Sequence, residues 1–165
     1  MKIVFRVVLF AALAAAGFWL WTVIFPSPQK VVLKKLSNLA ANANISSADG
    51  NIARAAKATS VVNEFSSDAE VVVDVTGVGA HTLTGREEIR ETALGGFASV
   101  PSMKVKFMDA NARVGADKLT AEVTCTAQVS AGDTKDFGIT ELRFQFKKID
   151  GDWLITRAET VKTLQ

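Results

Sequence analysis

The side chains here that could do chemistry are few, and their types limit the reactions open to them. His81 is the only histidine, and so the only side chain that titrates near neutrality without a shifted pKa. It lies between a glycine turn, Gly77-Val78-Gly79, and a helix start, where it reads either as a general base or as a half-exposed loop residue above the helix. No orienting partner is evident in the sequence, which favours the loop reading. Asp74 is a carboxylate that could share acid/base work with it. Cys125 is alone, so no intramolecular disulfide and no cysteine-based zinc site can form. It falls on the apolar phase of an alternating run with Leu119, Ala121, Val123, Ala127 and Val129, which predicts a buried thiol and not a nucleophile. One histidine and scattered carboxylates show no metal-ligand spacing, and no metal or cofactor is expected.

Arg157 and Glu159 are the remaining polar candidates, and their placement depends on the last hairpin. Asp150-Gly151 is a two-residue turn signal. A regular ladder from that turn pairs Lys148 with Trp153, Phe146 with Ile155, Phe144 with Arg157 and Leu142 with Glu159 on one face. Arg157 and Glu159 would then join Phe144 and Trp153 in lining a ligand pocket, with Arg157 receiving an acidic group. The plainer reading, which is preferred, is that the two neutralise each other at the sheet edge. The opposite face, with Glu141, Arg143, Gln145 and Lys147, is expected to be solvated or to make a polar subunit contact.

The elements that must position these residues follow from periodicity. Val31, Val32, Leu36 and Leu39 recur at helical spacing, predicting an amphipathic helix over 29–43. Ile52, Ala55, Ala56, Thr59 and Val62 mark a second helix ending near Phe65. Residues 70–76 are β-branched and read as a strand, followed by a short extended piece at 81–83. Thr84-Gly85-Arg86-Glu87 reads as a capping box opening a third helix over 85–98, with Ile89, Ala93, Leu94 and Phe97 buried. From Pro101 the period changes to two, giving strands near 103–107, 119–129, 138–148 and 153–161. Helices first and an antiparallel meander afterwards indicate an α+β fold.

Residues 7–25 form an uncharged run, about 28 Å long as a helix and enough for a hydrocarbon core of roughly 30 Å. Trp19 and Trp21 near its far end suit an interface, and Pro26 and Pro28 end it. A transmembrane anchor is therefore expected, with residues 1–6 in the cytoplasm and the following domain on the periplasmic or outer side of an inner membrane. The lipid bilayer is thus the first expected partner. A cleaved signal peptide competes, because Ala14-Ala15-Ala16-Gly17 offers small residues, but the apolar run continues nine residues beyond Ala16. Lys2 and Arg6 account for the whole net charge of +2 and leave the rest of the chain with 17 basic and 17 acidic residues. A neutral domain lacks the electrostatic footprint of nucleic-acid binding.

The order of elements, the Thr84-Gly85-Arg86-Glu87-Glu88-Ile89 helix entry and the closing Ile149-Asp150-Gly151-Asp152-Trp153-Leu154-Ile155-Thr156-Arg157 resemble the nuclear transport factor two-like superfamily. The closer likeness is to its SnoaL-like branch, over about residues 30–162. The resemblance implies three helices packed on a curved, mainly antiparallel sheet that forms a cone with an internal pocket, often dimeric through its outer sheet face. It carries over no catalytic residue. Ketosteroid-isomerase-like sites use a tyrosine, and this chain has none; scytalone-dehydratase-like sites use two histidines, and this chain has one. Limonene-epoxide-hydrolase-like sites use an Asp-Arg-Asp set, for which Asp74 and Arg157 are at most partial material. The expected function is a membrane-tethered, non-catalytic binding or assembly domain, such as an accessory subunit of a membrane complex. The alternative is a small-molecule isomerase, dehydratase or hydrolase using the cone.

Overall fold

The computed structural model describes residues 27–75, 79–132 and 138–161. The expected anchor at 7–25, with Trp19 and Trp21, lies outside them. Among the described residues no helix is long and apolar enough to cross a membrane.

Helix α1 (Pro28–Ala43) starts at a proline, whose fixed φ and missing N–H suit a first helical turn. It buries Val32, Leu36 and Leu39 along one stripe. Helix α2 (Asn51–Val62) ends earlier than expected, because Phe65 already belongs to a strand. Strand β1 (Phe65–Val75) returns as β2 (Gly79–Thr84). Helix α3 (Arg86–Ser99) follows, and the meander is β3 (Met103–Val114), β4 (Thr120–Ala131), β5 (Gly138–Ile149) and β6 (Asp152–Val161).

The capping box does not form as expected. Gly85, at φ +83°, is the N-cap of α3 and gives no side-chain cap; the Thr84 amide instead donates to Glu88 Oε2 at 2.7 Å. The left-handed Gly85 turns the chain sharply, so the carboxylate that reaches back is one residue later than Glu87.

The six strands form one sheet in the order β2-β1-β6-β5-β4-β3. All neighbours are antiparallel except β1 and β6, which run parallel. The sheet is curved and mixed, with the three helices on its inner side. Bulges in β3 and β6 interrupt the ladder, as bending a sheet requires. Val32 and Leu36 of α1, Val62 of α2 and Ile89 of α3 meet Val123, Phe144, Phe146, Trp153 and Ile155 in one buried cluster. Phe107 packs edge-on against Phe144 with ring centroids 5.6 Å apart. Arg54 ties the far ends of α2 and α3 together, its Nη1 donating to Phe97 O at 2.9 Å.

Candidate functional site

The hairpin of β5 and β6 decides where the polar candidates lie. The turn forms as expected, with Asp150 at φ +51° and Gly151 at +94°, the left-handed pair that a tight hairpin demands. Lys148 pairs with Trp153 and Phe146 with Ile155, also as expected. There the ladder slips: Gln145 pairs with Arg157, Phe144 with Ala158 and Arg143 with Glu159. Thr156 is one residue too many, and a one-residue slip sends every later side chain to the opposite face. The expected pairing of Phe144 with Arg157 and Leu142 with Glu159 is therefore corrected. Ala158 takes the buried position, while Arg157 and Glu159 turn to the outer face. Phe144 and Trp153 stay in the core, so the four residues expected around one pocket are divided between two faces.

On the outer face Arg157 and Glu159 join a chain of ion pairs that crosses four strands. Arg157 Nη1 bonds the Glu70 carboxylate on β1, and its Nε donates to Glu159 Oε2 at 2.9 Å. Arg143 on β5 donates from Nη1 to the other Glu159 oxygen at 3.1 Å, and its Nε stands 3.8 Å from Glu122 on β4. That Nε is buried without a hydrogen-bond partner. The hydrogen bond from Arg157, reinforced by the charges of Arg157 and Arg143, outweighs partial burial and holds the Glu159 carboxyl below its ordinary range. The same bond raises the Arg157 guanidinium. Sequence reading paired Arg157 with Glu159 but missed Glu70 and Glu122. Their signal is only that each is a charge on the outward phase of its strand, legible once register is known.

Beside Arg143 lies a hollow of about 400 Å³, bordered by Thr124, Thr126 and Glu141. A larger open groove of about 800 Å³ runs where the loop after α1 meets the start of β3, between Ser46, Lys57, Lys104 and Ser130.

The alternative acid/base pair, His81 with Asp74, does not assemble. His81 is exposed and pairs with Val73, whereas Asp74 pairs with Ala80, so the two point to opposite sides of the β1–β2 ribbon. The Asp74 amide donates to Thr160 Oγ1 at 2.9 Å. Cys125 is buried, and that burial pushes its thiol up to about 11, so it is not a nucleophile at neutral pH. Among the described residues no group of three His, Cys, Asp or Glu could hold a metal ion.

No protein-family model and no curated protein matches this chain. Solved structures do. An NTF2-like protein with a cystatin-like fold from Novosphingobium aromaticivorans superposes with a TM-score of 0.63 at 19% identity, covering 90% of this chain and 86% of its own. The chain has the nuclear transport factor two-like, cystatin-like fold. Aln2 from Streptomyces also superposes, with a TM-score of 0.61 and 14% identity over 84% of this chain and 92% of that one. A proposed scytalone dehydratase from Novosphingobium aromaticivorans gives 0.59 at 16% identity, over 82% and 83%.

Proposed function

We propose that this protein is a membrane-tethered, non-catalytic binding or assembly domain whose working surface is the outer face of its sheet. The observation that carries this reading is the division of polar from apolar groups. The middle of the sheet's inner side is filled by the protein's own side chains, Phe144, Phe146, Trp153 and Ile155 against Val32 and Leu36. The charged groups able to recognise a partner stand outside, in the chain Glu70, Arg157, Glu159, Arg143 and Glu122. Three carboxylates against two guanidinium groups leave that ribbon acidic. A second copy, or a membrane protein with a complementary polar strip, would complete it. Against catalysis in the cone weighs the separation of His81 from Asp74 on the two faces of one ribbon.

Residues 7–25 would hold this domain on the periplasmic side of an inner membrane, so the partner is sought among proteins of that membrane. The test is purification of the full chain in mild detergent, native and with Arg143 and Arg157 both changed to Glu. The native chain is expected to elute as an assembly larger than one chain, and the double variant as a single chain with unchanged far-UV circular dichroism. A native chain that elutes alone would overturn the reading. Protease added outside spheroplasts is expected to remove the domain; a protected domain would reverse the orientation.

A further inference from the structure

The place where the chain enters the domain makes a demand on the surface around it. Only Pro26 and Ser27 separate the apolar run ending at Phe25 from the first residue of α1, Pro28. Three residue steps span at most about 10 Å, so an anchored domain cannot stand clear of the headgroup layer. The entry end of the domain is fixed by the Gln29 side chain, whose Nε2 donates to Ala112 O at 3.0 Å. Beyond Ala112, β3 continues to Val114 and turns through residues 115–119 into β4. From Ala112 to Gly115 that is roughly 10 Å at the rise of a strand, about as far as the linker reaches.

The β5–β6 turn lies alongside, because the Lys148 amide donates to Leu119 O at 2.7 Å. Two hairpin tips therefore project past the chain entry, toward the level at which an anchoring run would have to end. Their composition suits that level. Leu119 is 51% exposed, a large apolar side chain presented at a turn. Lys118, Lys147 and Lys148 are exposed around it. The carboxylates at this end are Asp68, Asp117, Asp150 and Asp152. Asp117 turns its oxygens inward to accept from the Leu119 and Thr120 amides and the Thr120 hydroxyl. Asp68 accepts from the Ser66 hydroxyl. Asp150 and Asp152 are exposed, so against the three lysines the four aspartates leave the tips no cationic excess. What suits the tips to a phospholipid interface is Leu119, able to reach the acyl boundary while the neighbouring ammonium groups meet phosphates.

We propose that the tips of the β3–β4 and β5–β6 hairpins rest on the phospholipid headgroups, with Leu119 dipping toward the acyl boundary and Lys118, Lys147 and Lys148 on the phosphates. This rests on the anchored reading of residues 7–25. It leaves the outer sheet face upright beside the bilayer, open to a partner in the same membrane.

The test places a fluorophore on a single cysteine in the full chain reconstituted into phosphatidylcholine–phosphatidylglycerol vesicles. Ala116→Cys labels the tip and Ser47→Cys the opposite end; native Cys125, buried with its thiol pushed up to about 11, stays unlabelled. Headgroup-linked quencher is expected to quench the tip label at least about threefold more strongly than the distal label, as a surface contact within the headgroup depth requires. Leu119→Asp together with Lys118→Glu is expected to remove that difference. Equal quenching at both positions, in chains that resist alkaline extraction, overturns the contact and leaves the anchor standing. Chains released by alkaline extraction overturn the anchor and the contact together.

Discussion

Glu159 concentrates what one side chain does in this fold. Its two oxygens take one hydrogen bond each from Arg157 and Arg143, and the resulting lowered pKa is a statement about stability. A carboxylate whose folded pKa is depressed contributes its full stabilisation above the unfolded value, about 4.3 for glutamate. That contribution is lost as pH falls through the folded value. Urea midpoints are therefore expected to fall as pH drops below about 4.3, and the fall should be shallower in Glu159→Gln, with the two curves converging at the acid end. Identical slopes for both proteins would show that the ribbon does not discriminate protonation states. The residue types were legible in the sequence and their face was not. Arg157 and Glu159 alternate correctly with Trp153 and Ile155, and nothing in those letters announces that Thr156 steps out of the ladder.

Hairpins and helices were legible in their order and less so in their ends. Asp150-Gly151 dictated its turn through the backbone conformation it favours, and the structure has it there. β3 is longer than its alternating start suggested, because a bulge after Met108 breaks the period while the strand continues to Val114. The tight loop from Gly115 to Thr120 had no clear signal, since its geometry depends on space. A Cβ on Gly115 would lie 2.4 Å from Thr120 Oγ1 and 2.8 Å from Asp117 Oδ1, inside the hydrogen-bonded core of the turn. Gly115→Ala is therefore expected to cost about 1–3 kcal/mol, the usual range for overpacking, read as a lower urea midpoint. Amide exchange should accelerate at Leu119 and Thr120 before anywhere else. A variant as stable as the native protein would mean that Asp117 swings away without loss. At the start of α3 the capping role passed from Glu87 to Glu88 because Gly85 takes a left-handed turn, a backbone choice invisible to motif spacing.

Across the whole molecule the core joins every helix to the four strands of the meander and to β1, with Phe146 the largest side chain buried to within 2%. Phe146→Ala is expected to destabilise by about 3–5 kcal/mol, the cost of losing an aromatic ring and leaving part of its volume empty. That loss should appear in one cooperative denaturation transition, because the cluster is continuous. A separate early transition would mean that the helices and the meander unfold independently. The α+β class and the meander could be read from the change of period at Pro101. The joining of β1 to β6 could not, because those strands lie far apart in sequence and local patterns carry no information about such pairing. That parallel pair also sets a schedule. β6 follows the other five strands of this sheet in the chain, yet it occupies an interior place in it, with β1 on one side and β5 on the other. Until its final residues arrive, β1 and β2 have no sheet to join, and the Ile155 amide is not there to meet Glu64 O. Chains ending before Asp152 are therefore expected to remain protease-sensitive throughout, and chains carried on to Val161 to become resistant.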